Sequence, residues 1–198
     1  MTTGTLTPTR SSAPSDVTIP LWLAVGVLAG LGLSYGLAAM HGLAVAAGTT
    51  TLTPATSVGV AALCYLAAAA THTRWVAWLG VPVFSGLAFA GLVVSPPWWT
   101  LFVLAAVALL VVGLLAGTGL VSSVQGSALL GYFGVAVVAL QLEPRVGLTL
   151  AGLALAAHAL WDVWHYRHDA VVPRSMAVFC IGLDVTVGAL CVVLAVLG

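Results

Sequence analysis

Long apolar runs broken by short polar interruptions make up most of this chain, and a bilayer crossing needs about 20 such residues. On that rule seven helical segments are predicted, near 19–40, 54–72, 75–95, 98–119, 126–142, 146–166 and 174–197. Turn chemistry marks the breaks: Gly48 to Pro54, Thr71 to Arg74, Ser95 to Pro97, Ser122 to Gly126, Glu143 to Arg145 and Asp169 to Arg174. The pattern therefore predicts an all-α, polytopic integral membrane protein built as a seven-transmembrane-helix bundle, a single domain over 18–198. The first 17 residues, rich in Thr, Ser and Pro, are too polar to bury a face and are expected to form a disordered cytoplasmic tail. The apolar run after them exceeds the 7–15 residues of a signal-peptide core, so it is read as a retained span.

Composition sharpens this picture. With 62% hydrophobic and 5% charged residues and a mean hydropathy of +1.18, the chain lies far from soluble proteins, which carry roughly 25% charged residues. The lysine count is zero and the net charge is +0, which excludes a lysine Schiff base and a polybasic nucleic-acid surface. The expected partners are the lipid bilayer and a lipid-soluble small molecule. Cys64, Cys180 and Cys191 form no CxxC pair and are expected to pack as small apolar residues, with no disulfide framework. Arg10, Arg74, Arg167 and Arg174 fall on one side of the predicted topology and Arg145 on the other. Arginine favours the cytoplasmic face, so the N-terminus is expected inside the cell membrane and the C-terminus outside.

Gly26-x-x-x-Gly30, Gly32-x-x-x-Gly36 and Gly113-x-x-x-Gly117 offer close helix contacts. The tryptophans fall near predicted span ends, where amphipathic rings anchor at the headgroups. Pro82 is expected to kink the third segment.

The candidate chemistry is concentrated between Ala157 and Asp184. His158, Asp162, His165 and Asp169 recur at i, i+4, i+7 and i+11, which stacks two imidazoles and two carboxylates on one helical stripe. Beyond a short turn, Cys180, Asp184, Val187 and Cys191 repeat the spacing. At about 1.5 Å per residue from that turn, His158 and Asp184 reach similar depths, roughly 13 to 18 Å in, and Asp162 matches Cys180. Ionisable groups inside a span cost about 2.5 to 3.5 kcal/mol, so they usually face the bundle interior and serve a function. His41 and Glu143 fall near the opposite face and Tyr35 nearer mid-membrane, whereas Cys64 or Tyr65 of the second segment is deep enough to line the same cavity.

Three functions are consistent with this pattern. The favoured one is a membrane-embedded enzyme acting on a lipid or isoprenoid-like substrate. In its first form His158, Asp162, His165 and Asp184 hold a divalent metal such as zinc or iron. In its second form no cofactor is needed, and Asp184 or Asp162 acts as general acid or base with His158 tuning it. A proton- or ion-coupled transporter requires a polar file reaching both faces. A structural or accessory subunit requires none of these groups to react.

Overall fold

The computed structural model describes residues 18–39, 52–93 and 97–197. Among them are seven α-helices: α1 (Thr18–Ala39), α2 (Leu52–Ala70), α3 (Val76–Val93), α4 (Trp99–Leu115), α5 (Gly119–Ala139), α6 (Pro144–His168) and α7 (Arg174–Leu197). Residues 1–17, where a cytoplasmic tail is expected, and His41 lie outside the described residues. The described residues form an all-helical fold, and among them five helices, α1, α2, α5, α6 and α7, are long and apolar enough to cross a membrane. The sequence pattern predicts seven such spans, but α3 and α4 are shorter apolar helices. The 17 residues of α4 extend about 26 Å at 1.5 Å per residue, less than the roughly 30 Å hydrocarbon core of a bilayer.

The fifth helix departs most from expectation. Ser122 to Gly126 was expected to be a break, yet the chain turns earlier, where Gly117 takes a positive φ of 75°, and α5 has already begun at Gly119. Ser122 is fully buried and its hydroxyl meets that of Thr118 at 3.2 Å, while the Thr118 hydroxyl also reaches the Ala70 carbonyl at 3.2 Å. Polar residues that look like a loop in one dimension are here satisfied between helices.

At the core of the bundle lies α2, whose second half, Ala61 to Ala70, is buried throughout. Its run of alanines lets α3, α4, α5, α6 and α7 all approach it. Helix α1 lies at the periphery against α7, where Gly26 faces the Phe179 carbonyl and Gly182 faces the Leu23 carbonyl. Helices α6 and α7 also approach closely. A Cβ at Gly188 would lie 2.6 Å from the Gly152 carbonyl oxygen, and one at Gly152 would lie 3.0 Å from that of Gly188. Reciprocal glycines thus bring the two backbones together immediately beside His158 and Asp184.

One end of the bundle is joined by polar contacts. Arg74, in the turn after α2, donates to the Asp169 carboxylate at 2.5 Å and to the Val172 carbonyl at 2.6 Å, and Arg174 lies 3.5 Å from the same carboxylate. Asp169 itself ends α6 in a left-handed conformation, φ 49°. At the other end Glu143 caps α6, its carboxylate accepting from the Arg145 and Val146 amides at 3.2 Å with Pro144 in the first turn. The half of the interior nearer that end is sealed by Trp98, Phe102 and Phe133, whose rings lie 5.4 to 5.8 Å apart.

The Arg74 hydrogen bond, aided by the charges of Arg74 and Arg174, holds the Asp169 carboxyl below its ordinary value of 3.8. A depressed folded-state value means the contribution is complete above 3.8 and is lost as the pH falls below it. The thermal midpoint of Asp169→Asn is therefore expected to fall short of wild type at neutral pH and to converge with it in acid. A gap that stays constant across a pH series would contradict this.

Candidate functional site

The spacing that places His158 and Asp162 one turn apart on α6 also turns both toward α7, and α7 answers with Asp184. All three side chains are fully buried. His158 Nδ1 lies 2.9 Å from Asp184 Oδ2 and 3.4 Å from Asp162 Oδ2. One nitrogen thus faces two carboxylates.

A fourth member comes from the central helix. Tyr65 of α2, also buried, donates its hydroxyl to Asp162 Oδ1 at 2.5 Å. That bond fixes the carboxylate with Oδ1 toward α2 and Oδ2 toward the imidazole. Asp162 Oδ2, Asp184 Oδ1 and His158 Nε2 are buried and have no hydrogen-bond partner among the described residues. Buried polar atoms are nearly always satisfied, so three orphans in one cluster mark a place built for something besides packing.

His165 does not join them. Although it shares the helical stripe, its Nδ1 donates to the Trp161 carbonyl at 2.9 Å and its Nε2 meets the Gln125 amide nitrogen at 3.1 Å. Gln125 Oε1 in turn accepts from the Trp161 indole at 3.1 Å. The donors and acceptors form a consistent chain: Nδ1 carries the proton, Nε2 accepts from the amide, and neither nitrogen is left for a ligand. The metal set read from spacing, His158, Asp162, His165 and Asp184, therefore assembles as a trio of His158, Asp162 and Asp184. His165 instead braces Tyr65, whose ring it meets edge-on at 4.7 Å.

The remaining candidates scatter. Asp169 belongs to the arginine link at the bundle end. Cys64, Cys180 and Cys191 are buried free thiols. Glu143 caps a helix at the far end, and Tyr35 projects outward, 79% exposed. Gln125 and Tyr132 were not expected at the site. Gln125 lies in the stretch that reads as a turn, and Tyr132, whose ring meets that of His158 at 5.2 Å, has nothing in its neighbourhood in sequence to distinguish it.

The trio can hold a metal ion: one ligand atom from each of His158, Asp162 and Asp184 lies within 4.8 Å of the others. Ligands about 2.1 Å from a tetrahedral ion are separated by roughly 3.4 Å, and the His158 to carboxylate separations of 2.9 and 3.4 Å are close to that. Charge favours the fit as well. Two buried carboxylates face a single imidazole, and the described ion pairs that use arginine are all at Asp169.

Past the trio, away from Asp169, the fully buried residues of α5, α6 and α7 are apolar, glycine or Cys191. Among the described residues of these helices, no buried polar file continues toward the far end. Comparison with family models, with curated proteins and with solved structures finds no match for this chain.

Proposed function

We propose that this chain is a multi-pass membrane enzyme in which His158, Asp162 and Asp184 bind a divalent cation, zinc or ferrous iron, to act on a lipid-soluble substrate. The observation that carries the reading is the convergence of two carboxylates and one imidazole, each fully buried and each with an orphaned polar atom. Imidazole with two carboxylates suits these metals and leaves coordination positions open for substrate or water. On this reading α3 and α4 also cross the bilayer. Arg74, Arg167 and Arg174 at the Asp169 end, against Arg145 at the other, set that end in the cytoplasm of the cell.

Each residue has a role that follows from its contacts. The cation, when bound, polarises a substrate oxygen or activates water. Tyr65 holds Asp162 by Oδ1 so that Oδ2 stays directed at the imidazole. Asp184 would hold the cation beside His158, and its Oδ1, free of other partners, is the atom best placed to take a proton from the reacting group. Apolar packing around Phe102 and Phe133 excludes water from the far side. The blind end of the polar region favours an enzyme over a transporter, which needs access from both faces.

Elemental analysis of the purified protein tests this. A stoichiometric divalent metal is expected in wild type and none in His158→Ala, with both proteins recovered from the membrane fraction. Wild-type protein that neither retains nor takes up zinc or iron would overturn the reading.

A further inference from the structure

An open groove of about 480 Å³ lies between α5 and α6, lined by Leu120, Ser123, Val124, Ser127 and Tyr132 of α5 and by Trp161 of α6. Its size falls within the roughly 300 to 1,000 Å³ of small-molecule sites. The hydroxyls of Ser123, Ser127 and Tyr132 make no hydrogen bond among the described residues. Helical hydroxyls at membrane depth commonly bond back to the preceding turn, as Thr149 and Thr186 do here. Ser123 and Ser127 do not, and together with the Tyr132 hydroxyl, which is too far from its own backbone to bond back, they leave hydrogen-bonding capacity along one groove where hydrocarbon offers none.

The groove also leads somewhere. Tyr132, which lines it, lies with its ring against that of His158, 5.2 Å away at 80°. His158 Nε2 is buried and has no partner. A single aromatic side chain therefore lies between the groove and the imidazole of the trio. The lining residue from α6, Trp161, is held through Gln125 to His165. This makes one wall rigid and leaves Tyr132, whose hydroxyl is unbonded, as the side chain able to swing.

We propose that this groove is the substrate's lateral access site, and that it takes a lipid with a small uncharged oxygen-bearing head, a long-chain alcohol. The inference rests on the enzyme reading of the trio and adds a substrate class to it. The head group is uncharged because no arginine or lysine lines the groove, and a phosphate or carboxylate in this setting would lack a cationic partner. It carries oxygen because the wall offers hydroxyl partners in series, Ser123, Ser127 and then Tyr132, down to the depth of His158. Leu120 and Val124, which are 82% and 44% exposed, supply the apolar part of the same wall.

The test uses full-length protein in phosphatidylcholine vesicles and a photoreactive long-chain alcohol. Crosslinks are expected between residues 120 and 132 and at Trp161, competed by unlabelled alcohol at least about tenfold better than by the alkyl phosphate of equal length, a difference of roughly 1.4 kcal/mol. Ser127→Trp should abolish labelling. The milder Ser123→Ala with Ser127→Ala should weaken labelling by the alcohol while leaving that by an alkane probe unchanged. Equal competition by the phosphate, crosslinks elsewhere, or Ser127→Cys chains that crosslink to each other across this groove would each overturn the proposal. Labelling in His158→Ala separates the two readings. If it persists while wild type binds no metal, the groove stands and the metal site falls; if wild type binds metal but is never labelled, the groove falls alone.

Discussion

Replacing Asp184 by Asn is expected to abolish both activity and cation binding while leaving the apoprotein as stable as wild type or more so. The carboxamide keeps the shape and can still accept from His158 Nδ1, now 2.9 Å from Asp184 Oδ2. What it removes is one of two carboxylates that crowd a single imidazole in the buried interior, and burying ionisable groups beyond what one partner can satisfy is costly. Cation binding reverses that balance in wild type. A ligand present at 100 times its dissociation constant stabilises the folded state by about 2.7 kcal/mol, so added zinc should raise the wild-type melting temperature and leave that of Asp184→Asn unmoved. Tyr65→Phe belongs between the two. It leaves all three ligands but frees Asp162 Oδ1, and loss of such an orienting partner typically weakens metal affinity roughly 10- to 100-fold. If Asp184 were simply a structural hydrogen-bond acceptor, thermal shift and metal titration would give the opposite ranking, with no zinc response in wild type.

Two of the site's helices are legible in the sequence because α6 and α7 are consecutive and their polar residues recur at helical spacing. His158, Asp162 and Asp184 follow from counting along a hairpin. Tyr65 follows only in part: its depth marks it, beside Cys64, as able to line the same cavity, but its bond to Asp162, 97 residues away, does not follow, since nothing in the sequence indicates that α2, rather than another apolar helix, occupies the centre. Its alanine content is the physical reason it does, but alanine is abundant throughout the chain. His165 illustrates the converse. Its position on the stripe is right, yet a carbonyl one turn back and the Gln125 amide claim both nitrogens, a competition that spacing cannot reveal. Gln125 escaped notice because Ser122-Ser-Val-Gln-Gly126 has the composition of a turn. Only the partners supplied by α6 and the α4 to α5 turn make it helical. The all-helical, membrane-compatible class was visible from hydropathy alone; the length of α4 was not, because apolar residues at a helix end look like those inside one.

Gly188→Ala is expected to destabilise the protein and to empty the site of metal, although the same change in an unconstrained helix is stabilising. Alanine is favoured over glycine within helices by about 1 kcal/mol, so sign separates packing from propensity. At Gly32, where an added Cβ meets nothing within 4 Å, alanine should follow propensity and raise the melting temperature slightly or leave it unchanged. At Gly188 the added carbon would lie 2.6 Å from the Gly152 carbonyl oxygen and 3.0 Å from the Ala156 amide nitrogen. Both are backbone atoms, so no rotamer change relieves the overlap and the helices must separate. Overpacking of this kind costs typically 1 to 3 kcal/mol. The consequence for chemistry is larger than for folding. His158 and Asp184 lie on the two helices being pushed apart, within two turns of the contact, and their 2.9 Å approach has little slack. Metal content should therefore fall in Gly188→Ala more steeply than melting temperature does, while Gly32→Ala retains both. Equal behaviour of the two variants would mean that the α6 to α7 approach does not set the geometry of the trio.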